Sequence, residues 1–231
     1  MSAYFVTGTG TGVGKTFVAA GLVRHLRAAG KPVWALKPVV SGFDMANLRA
    51  SDPGVLLEAM GRAVSPEGIA RISHWRFAAP LSPDMAGARE GREIDFDALV
   101  ALCREEMSSR RGTLIIEGVG GVMAPLDARH TVLDWMAALQ IPAILVAGSY
   151  LGTISHTLTA LAAMAHAGVT AAALVVNDSG DGVVPIADTL ATLGRFTPGI
   201  PIATIPRVAV PREADASFSE LAALVFQGVC G

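Results

Sequence analysis

Ala3-Tyr4-Phe5-Val6-Thr7-Gly8-Thr9-Gly10-Thr11-Gly12-Val13-Gly14-Lys15-Thr16 runs from a short apolar stretch through a glycine-rich loop to a lysine and a hydroxyl residue. Residues 3–7 read as a buried strand. Residues 15–29 read as a helix with Val18, Leu22 and Leu26 on one face and Gly30 to stop it. Glycines at a strand-to-helix turn let backbone N–H groups face inward around phosphate oxygens, and the helix presents its positive end to them. Lys15 then neutralises the β/γ region of a nucleotide, and Thr16 offers a hydroxyl to Mg²⁺. The spacing departs from G-x-x-x-x-G-K-[ST] by one position, because Thr9 stands where the first glycine belongs and Gly8 comes one residue early. The alternative is a glycine turn with no ligand, and Gly14-Lys15-Thr16 at the junction of strand and helix argues against it.

Outward from this loop the alternation of strand and helix repeats. Residues 33–39 read as a second strand after the Lys31-Pro32 turn, Asp95 caps a helix reaching about Ser109, and residues 113–117 form a third strand. Past Gly118-Val119-Gly120-Gly121, residues 131–139 read as helix, 141–147 as strand, 154–167 as helix and 171–177 as strand. Parallel neighbours need helical, right-handed crossovers. The expected fold is therefore α/β, a mainly parallel central sheet flanked by helices, of the P-loop NTPase type, with residues 1–231 as a single domain. Residues 41–92, rich in proline and glycine, are expected to be irregular and to carry loops over the site.

Composition agrees with a deep core. Hydrophobic residues make up 52% of the 231 and the mean hydropathy is +0.48, as a sheet covered on both faces requires. A net charge of −2 provides no positive field for a nucleic-acid backbone or an anionic membrane. Cys103 and Cys230 match no metal or redox spacing and read as inert reduced thiols, which suits a cytoplasmic location. The N-terminus has no basic region that would mark a secretory signal. Between Trp135 and Asn177 there is no Asp, Glu, Lys or Arg, yet Pro142, Gly148, Gly152, His156, His166 and Gly168 cut the run into pieces too short or too polar to span a membrane.

Lysine is scarce: Lys15, Lys31 and Lys37 stand against fifteen arginines. A compact ammonium among crowded phosphate oxygens is a reason to keep Lys where Arg is otherwise preferred. Glu117 ends an apolar strand, where a buried carboxylate needs a cation, metal or donor. Asp52 has two readings, a helix N-cap before Pro53 or a metal ligand. Lys15, Lys37, Glu117, Gly152 and Asn177 all fall at or just after strand C-termini, where ligands bind in open parallel sheets.

In this order the motifs resemble those of the dethiobiotin synthetase family: 7–16 (TGTGTGVGKT), Lys37-Pro38-Val39 with Ser41-Gly42, Ser51-Asp52, Phe77 with Pro80, Ser82 and Pro83, Glu117-Gly118-Val119-Gly120-Gly121, Leu151-Gly152-Thr153-Ile154 with His156, Asn177-Asp178 and Ile205-Pro206. The resemblance implies a homodimeric ligase of biotin biosynthesis that converts 7,8-diaminopelargonate, CO₂ (or bicarbonate) and ATP into dethiobiotin, ADP and phosphate. It implies catalytic roles for Lys15 and Lys37, and a metal set of Thr16, Asp52 and Glu117 for Mg²⁺. ATP would meet Gly12, Val13, Gly14, Lys15, Thr16, Phe17, Asp52, Glu117, Gly118, Val119 and Gly120, with Asn177, Asp178, Pro206, Arg207, Val208 and Glu213 completing the nucleotide pocket. Substrate would meet Thr11, Ser41 and Gly118, while Leu151, Gly152, Thr153 and Ile154 bind its carboxylate across the dimer interface. Taken by itself, His156 reads as a packed or hydrogen-bonded residue.

Gly10, Gly12, Ala79, Asp84 and Ser155 depart from residues frequent in that family, which weakens some diamine contacts more than the phosphate site. One rival is a partitioning-type nucleotide-switch ATPase, whose extra loop lysine would fall at position 10, where this chain has glycine. Others are a P-loop small-molecule kinase and an amide-forming synthetase, the latter needing a glutaminase domain with a nucleophilic cysteine that nothing after Asn177 is long enough to supply.

Overall fold

Four largely apolar runs, 2–8, 113–117, 143–148 and 171–177, form the middle of a sheet covered on both faces. The computed structural model describes residues 2–178, 180, 182 and 184–226; Cys230 lies outside them. In chain order the elements are β1 (Ser2–Gly8), α1 (Lys15–Ala28), β2 (Val33–Leu36), β3 (Val39–Ser41), α2 (Asp52–Ala59), α3 (Pro66–Ile72), β4 (Trp75–Phe77), α4 (Pro83–Glu90), α5 (Phe96–Ser109) and β5 (Thr113–Glu117). Then come α6 (Val132–Leu139), β6 (Ala143–Gly148), α7 (Thr153–His166), β7 (Ala171–Asn177), α8 (Ile186–Phe196), β8 (Ile202–Ile205) and α9 (Asp215–Val225). The main sheet has the order β2-β5-β1-β6-β7-β8, and its neighbours are parallel throughout. From β1 the chain first builds to one side, through β2 and β5, and then to the other, through β6. A crevice therefore opens at the carboxyl ends around β1, where the glycine loop lies. On one face α9 lies close against α1: a Cβ at Gly21 would sit 2.0 Å from the Phe218 ring, so a side chain there would push the helices apart.

Two expectations from sequence need correction. Residues 33–39 are not one strand. Pro38 has no N–H to continue a ladder, and the chain leaves the main sheet after Leu36; β3 pairs instead with β4 in a separate two-stranded parallel sheet. Residues 41–92 are not irregular either, since they hold α2, α3 and α4. Each of these helices has a serine N-cap (Ser51, Ser65, Ser82) and a proline in its first two positions. Proline at a helix start needs no donor, so these prolines mark beginnings of helices rather than loops.

The uncharged run from Trp135 to Asn177 divides into α6, β6, α7 and β7, and no described helix is long and apolar enough to cross a membrane. Cys103 is buried and unbridged, and burial pushes its thiol up to about 12, which leaves it unreactive.

Candidate active site

The loop between β1 and α1 turns on Gly12 (φ +76°) and Gly14 (φ +96°), both in the left-handed region that side chains avoid. A Cβ at Gly14 would lie 2.2 Å from Nδ2 of Asn177, and that same amide donates to the Val13 carbonyl at 3.1 Å. The end of β7 thus braces the loop from behind. Lys15 folds over it and donates to the Gly10 carbonyl at 2.8 Å. Burial, with the repulsion of Lys37 added, lowers the Lys15 ammonium to about 8.

A second cationic group sits across the crevice. Lys37 follows β2 and its own amide donates to the Ile72 carbonyl at 2.9 Å, which fixes the backbone where the chain leaves the sheet. Its Nζ lies 2.7 Å from Glu117 Oε1, 2.5 Å from the Gly118 carbonyl and 3.3 Å from Asp52 Oδ2. Burial disfavours its charge, but the attraction and hydrogen bonds of Glu117 and Asp52 win and hold its pKa above the usual lysine value. Glu117 ends β5 fully buried, and burial pushes it up against the pull of Lys37. Thr16 donates to its Oε1 at 2.7 Å, whereas its Oε2 is buried with no hydrogen-bond partner.

Of the two sequence readings of Asp52, the N-cap is corrected by the structure. Ser51 is the cap, accepting from the Gly54 amide at 3.2 Å, and Asp52 is the first residue of α2. With the capping work done by its neighbour, the Asp52 carboxylate is free to reach Lys37. Burial works against its charge, and Lys37, Thr16 and Lys15 together hold it below the usual carboxylate range.

These groups line one open cavity of about 1090 Å³, shared by Thr11, Gly12, Gly14, Lys15, Thr16, Lys37, Ser41, Asp52, Glu117, Val119 and Gly120. The hydroxyls of Ser41 and Thr9, both on this cavity, are buried without partners. Sequence reasoning missed its far wall, where His156, Thr159, Ala160 and Ala163 of α7 face the loop. Their spacing over two helical turns was the available signal, masked by the apolar surroundings. Pro80 to Pro83 and Val122 to Pro125 complete the rim.

Other expected residues lie elsewhere. Val13 is buried under the loop, Phe17 packs on Phe218 at 5.6 Å between ring centroids, and Gly118 contributes its carbonyl to Lys37. Leu151, Gly152, Thr153 and Ile154 line a separate cavity of about 580 Å³ with Val184 and Phe196, and Leu151 is 77% exposed. Thr153 spends its hydroxyl on Gly148 O (2.6 Å) and its amide on Tyr150 O (3.1 Å). His156 accepts or donates at 2.8 Å to the Tyr150 hydroxyl. Asp178, Pro206, Arg207 and Val208 follow the ends of β7 and β8 and do not line the main cavity. Asp178 takes the Ser149 hydroxyl at 3.0 Å, and Glu213 caps the amides of Ala209 and Val210.

Comparison with known proteins gives this geometry a setting. A family model described as an AAA domain matches residues 2–212. The ATP-dependent dethiobiotin synthetase BioD of Acidiphilium cryptum (strain JF-5) is 52% identical over 202 residues, covering 87% of this chain and 91% of that protein. The protein of the same name from Phenylobacterium zucineum (strain HLK1) is 47% identical over 209 residues, covering 90% and 89%. Among solved structures, the cell division ATPase MinD of Pyrococcus furiosus superposes with a TM-score of 0.60 at 17% identity, over 98% of this chain and 99% of that one. A ParA family ATPase from Chlorobium tepidum TLS gives 0.55 at 14% identity, over 100% and 94%. At such identities the structural likeness is one of fold, the P-loop ATPase fold. It is the sequence relationship, spanning loop, cluster and sheet together, that assigns the chain: it belongs to the ATP-dependent dethiobiotin synthetase family.

Proposed function

We propose that this chain, working as one α/β domain, is a cyclo-ligase that uses ATP to carboxylate 7,8-diaminopelargonate and close it to dethiobiotin. The observation that carries the reading is the cluster of buried Lys37 and Glu117 with half-buried Asp52 and Thr16, facing Lys15 across one cavity large enough for a nucleotide and a small second substrate. One substrate amine takes up CO₂ as a carbamate. A carbamate oxygen attacks the γ-phosphorus, the bond to ADP breaks, and a carbamic-phosphoric anhydride remains. The second amine then attacks the carbonyl carbon, phosphate leaves with the C–O bonding pair, and the ring nitrogen gives up its proton. Both steps move negative charge among crowded oxygens, so fixed cations do most of the work. Lys37, kept charged by its two carboxylates, faces the carbamate and transferring phosphoryl oxygens; Lys15 faces the β/γ-phosphates.

Mg²⁺ would be held by Thr16, Asp52 and Glu117, directly or through water. The orphaned Glu117 Oε2 and a donor set of two carboxylates and a hydroxyl suit a hard cation that takes its remaining ligands from phosphate and water. When bound, it neutralises charge on the phosphate oxygens. Gly12, Val13, Gly14, Phe17, Val119 and Gly120 hold the phosphates by backbone groups, and Asn177, Asp178, Pro206, Arg207, Val208 and Glu213 frame the base. Thr11, Ser41 and Gly118 hold the reacting amines; the unpartnered Ser41 hydroxyl supports that role. Leu151, Gly152, Thr153 and Ile154 act from the second copy of a cytoplasmic homodimer, which fits their place on a cavity other than the main one and the exposed Leu151, Val184 and Phe196 beside them.

The test is incubation of the protein with diaminopelargonate, bicarbonate, Mg²⁺ and ATP. Diamine-dependent phosphate release with a cyclic urea product supports the reading. ATP hydrolysis indifferent to the diamine sinks it in favour of a nucleotide switch, and a monomeric mass with full activity in sedimentation removes the dimer.

A further inference from the structure

Behind the cluster, on the far side of β2, lies a third cavity of about 330 Å³ between β2, α2, α3 and α5. Its apolar lining includes Trp34, Leu36, Leu57, Met60 and Ile72, of which the last four are at most 8% exposed. Its charged lining is unbalanced. Arg110 is paired with Glu106 at 2.7 Å, and Glu67 is drawn to the amide and hydroxyl groups that begin α3, which hold it below the usual carboxylate range. Arg71 adds its attraction to Glu67 without closing to an ion pair, and Arg62 forms no ion pair with any described carboxylate, so three arginines on this lining face two glutamates. Arg62 is nevertheless held in place, its guanidinium carbon 4.2 Å from the centre of the Trp34 ring, while that of Arg110 lies 4.1 Å from it.

We infer that this cavity is a second ligand site, for a small amphipathic monocarboxylate whose tail lies on the Leu36, Leu57 and Met60 surface and whose head pairs with Arg62 and Arg71. Arg62, held on the Trp34 ring, with Arg71 on the same lining beside a small apolar hollow, matches that chemistry, since a guanidinium fork suits a carboxylate and the hollow is of ligand size. The site touches the machinery of the first cavity without sharing its residues. Leu36 immediately precedes Lys37, the Ile72 carbonyl receives the Lys37 amide, and Leu57 lies in, and Met60 caps, the helix that begins with Asp52. An occupant therefore steadies the two elements that bring Lys37 and Asp52 to Glu117.

The site is tested by binding rather than turnover, so its failure leaves the proposed reaction untouched. Octanoate is titrated into the full chain by calorimetry, with 1-octanol as the uncharged control. One saturable site is expected, about tenfold weaker in Arg62→Gln and in Arg71→Glu, as loss of a charge-assisted contact implies, and weaker still for octanol. Both arginines are exposed, so the variants should keep the parent's circular dichroism. Saturation should slow hydrogen exchange over residues 33–37 and 52–72, and Lys15→Ala should leave octanoate affinity unchanged. Equal affinity in the parent and both arginine variants, equal binding of octanol, or loss of binding in Lys15→Ala would each overturn the inference, the last by placing octanoate in the main cavity.

Discussion

Lys37 and Glu117, 80 residues apart in sequence, meet at 2.7 Å with side chains only 2% and 0% exposed. Such a pair is held less by its attraction than by the cost of leaving either member alone out of water. Lys37→Gln should therefore abolish turnover, spare ATP binding at Lys15, and destabilise the fold by about 3 kcal/mol in urea unfolding. Adding Glu117→Gln should recover a good part of that stability and none of the activity. Near-normal turnover in Lys37→Gln would remove this residue from the site.

Lys15 is kept at a cost to the empty protein. Its depressed pKa means that the unfolded chain binds the proton more tightly, so between about 8 and 10.5 this group's contribution to stability rises with pH; below about 8 the charged form is fully disfavoured, by up to about 3 kcal/mol. Lys15→Met should raise the melting temperature of the nucleotide-free protein at pH 7 and abolish ATP binding by calorimetry. In the parent, kcat/KM for ATP should fall as pH rises through about 8, where free enzyme loses the ammonium.

Ser51 and Asp52 are neighbours with separable jobs. Ser51→Ala removes a cap and should cost about 1 kcal/mol in thermal or urea unfolding while leaving the Mg²⁺ dependence of turnover unchanged. Asp52→Asn should act on the metal instead, with about a tenfold rise in the Mg²⁺ needed for half-maximal rate, and some loss of stability because buried Lys37 keeps one carboxylate, that of Glu117, rather than two. The same Mg²⁺ dependence in Asp52→Asn as in the parent would take that carboxylate out of the metal set.

Gly14→Ala would combine a left-handed φ of +96° with a Cβ 2.2 Å from the Asn177 amide. Because the loop and the end of β7 are braced against each other, nucleotide affinity should drop at least about tenfold. Asn177→Ala, which relieves the clash but also removes the brace, should not restore it.

Much of this molecule is legible along the chain, and the misses have physical causes. The strands at 113–117 and 171–177 were readable because each is a continuous apolar run ending in a polar residue at the sheet's carboxyl edge. Residues 41–92 misread because proline and glycine carry opposite meanings by position: Pro53, Pro66 and Pro83 open helices, each just after a serine at the N-cap position, of which Ser51 and Ser65 cap through their hydroxyls. Asp52 was ambiguous for a related reason, since two adjacent residues could each cap α2 and the backbone at Ser51 chose between them. The α7 wall of the cavity was hidden because a stripe of His156, Thr159, Ala160 and Ala163 looks like any helix packed by small residues until the opposite side is known to be open.

By itself the sequence determined the alternating βα order, the glycine loop with Lys15 and Thr16, and the polar residues that end strands, because these follow from local periodicity and from residue types that suit one backbone geometry. Only the tertiary structure decided that Lys37 pairs with Glu117 and Asp52, that Asn177 braces the loop, and that Arg62 stacks on Trp34 with no ion pair to a described carboxylate. Those outcomes depend on the strand order β2-β5-β1-β6-β7 and on which helix covers which edge. Strand order is set by the competition of whole surfaces for burial, and no spacing along the chain records its result.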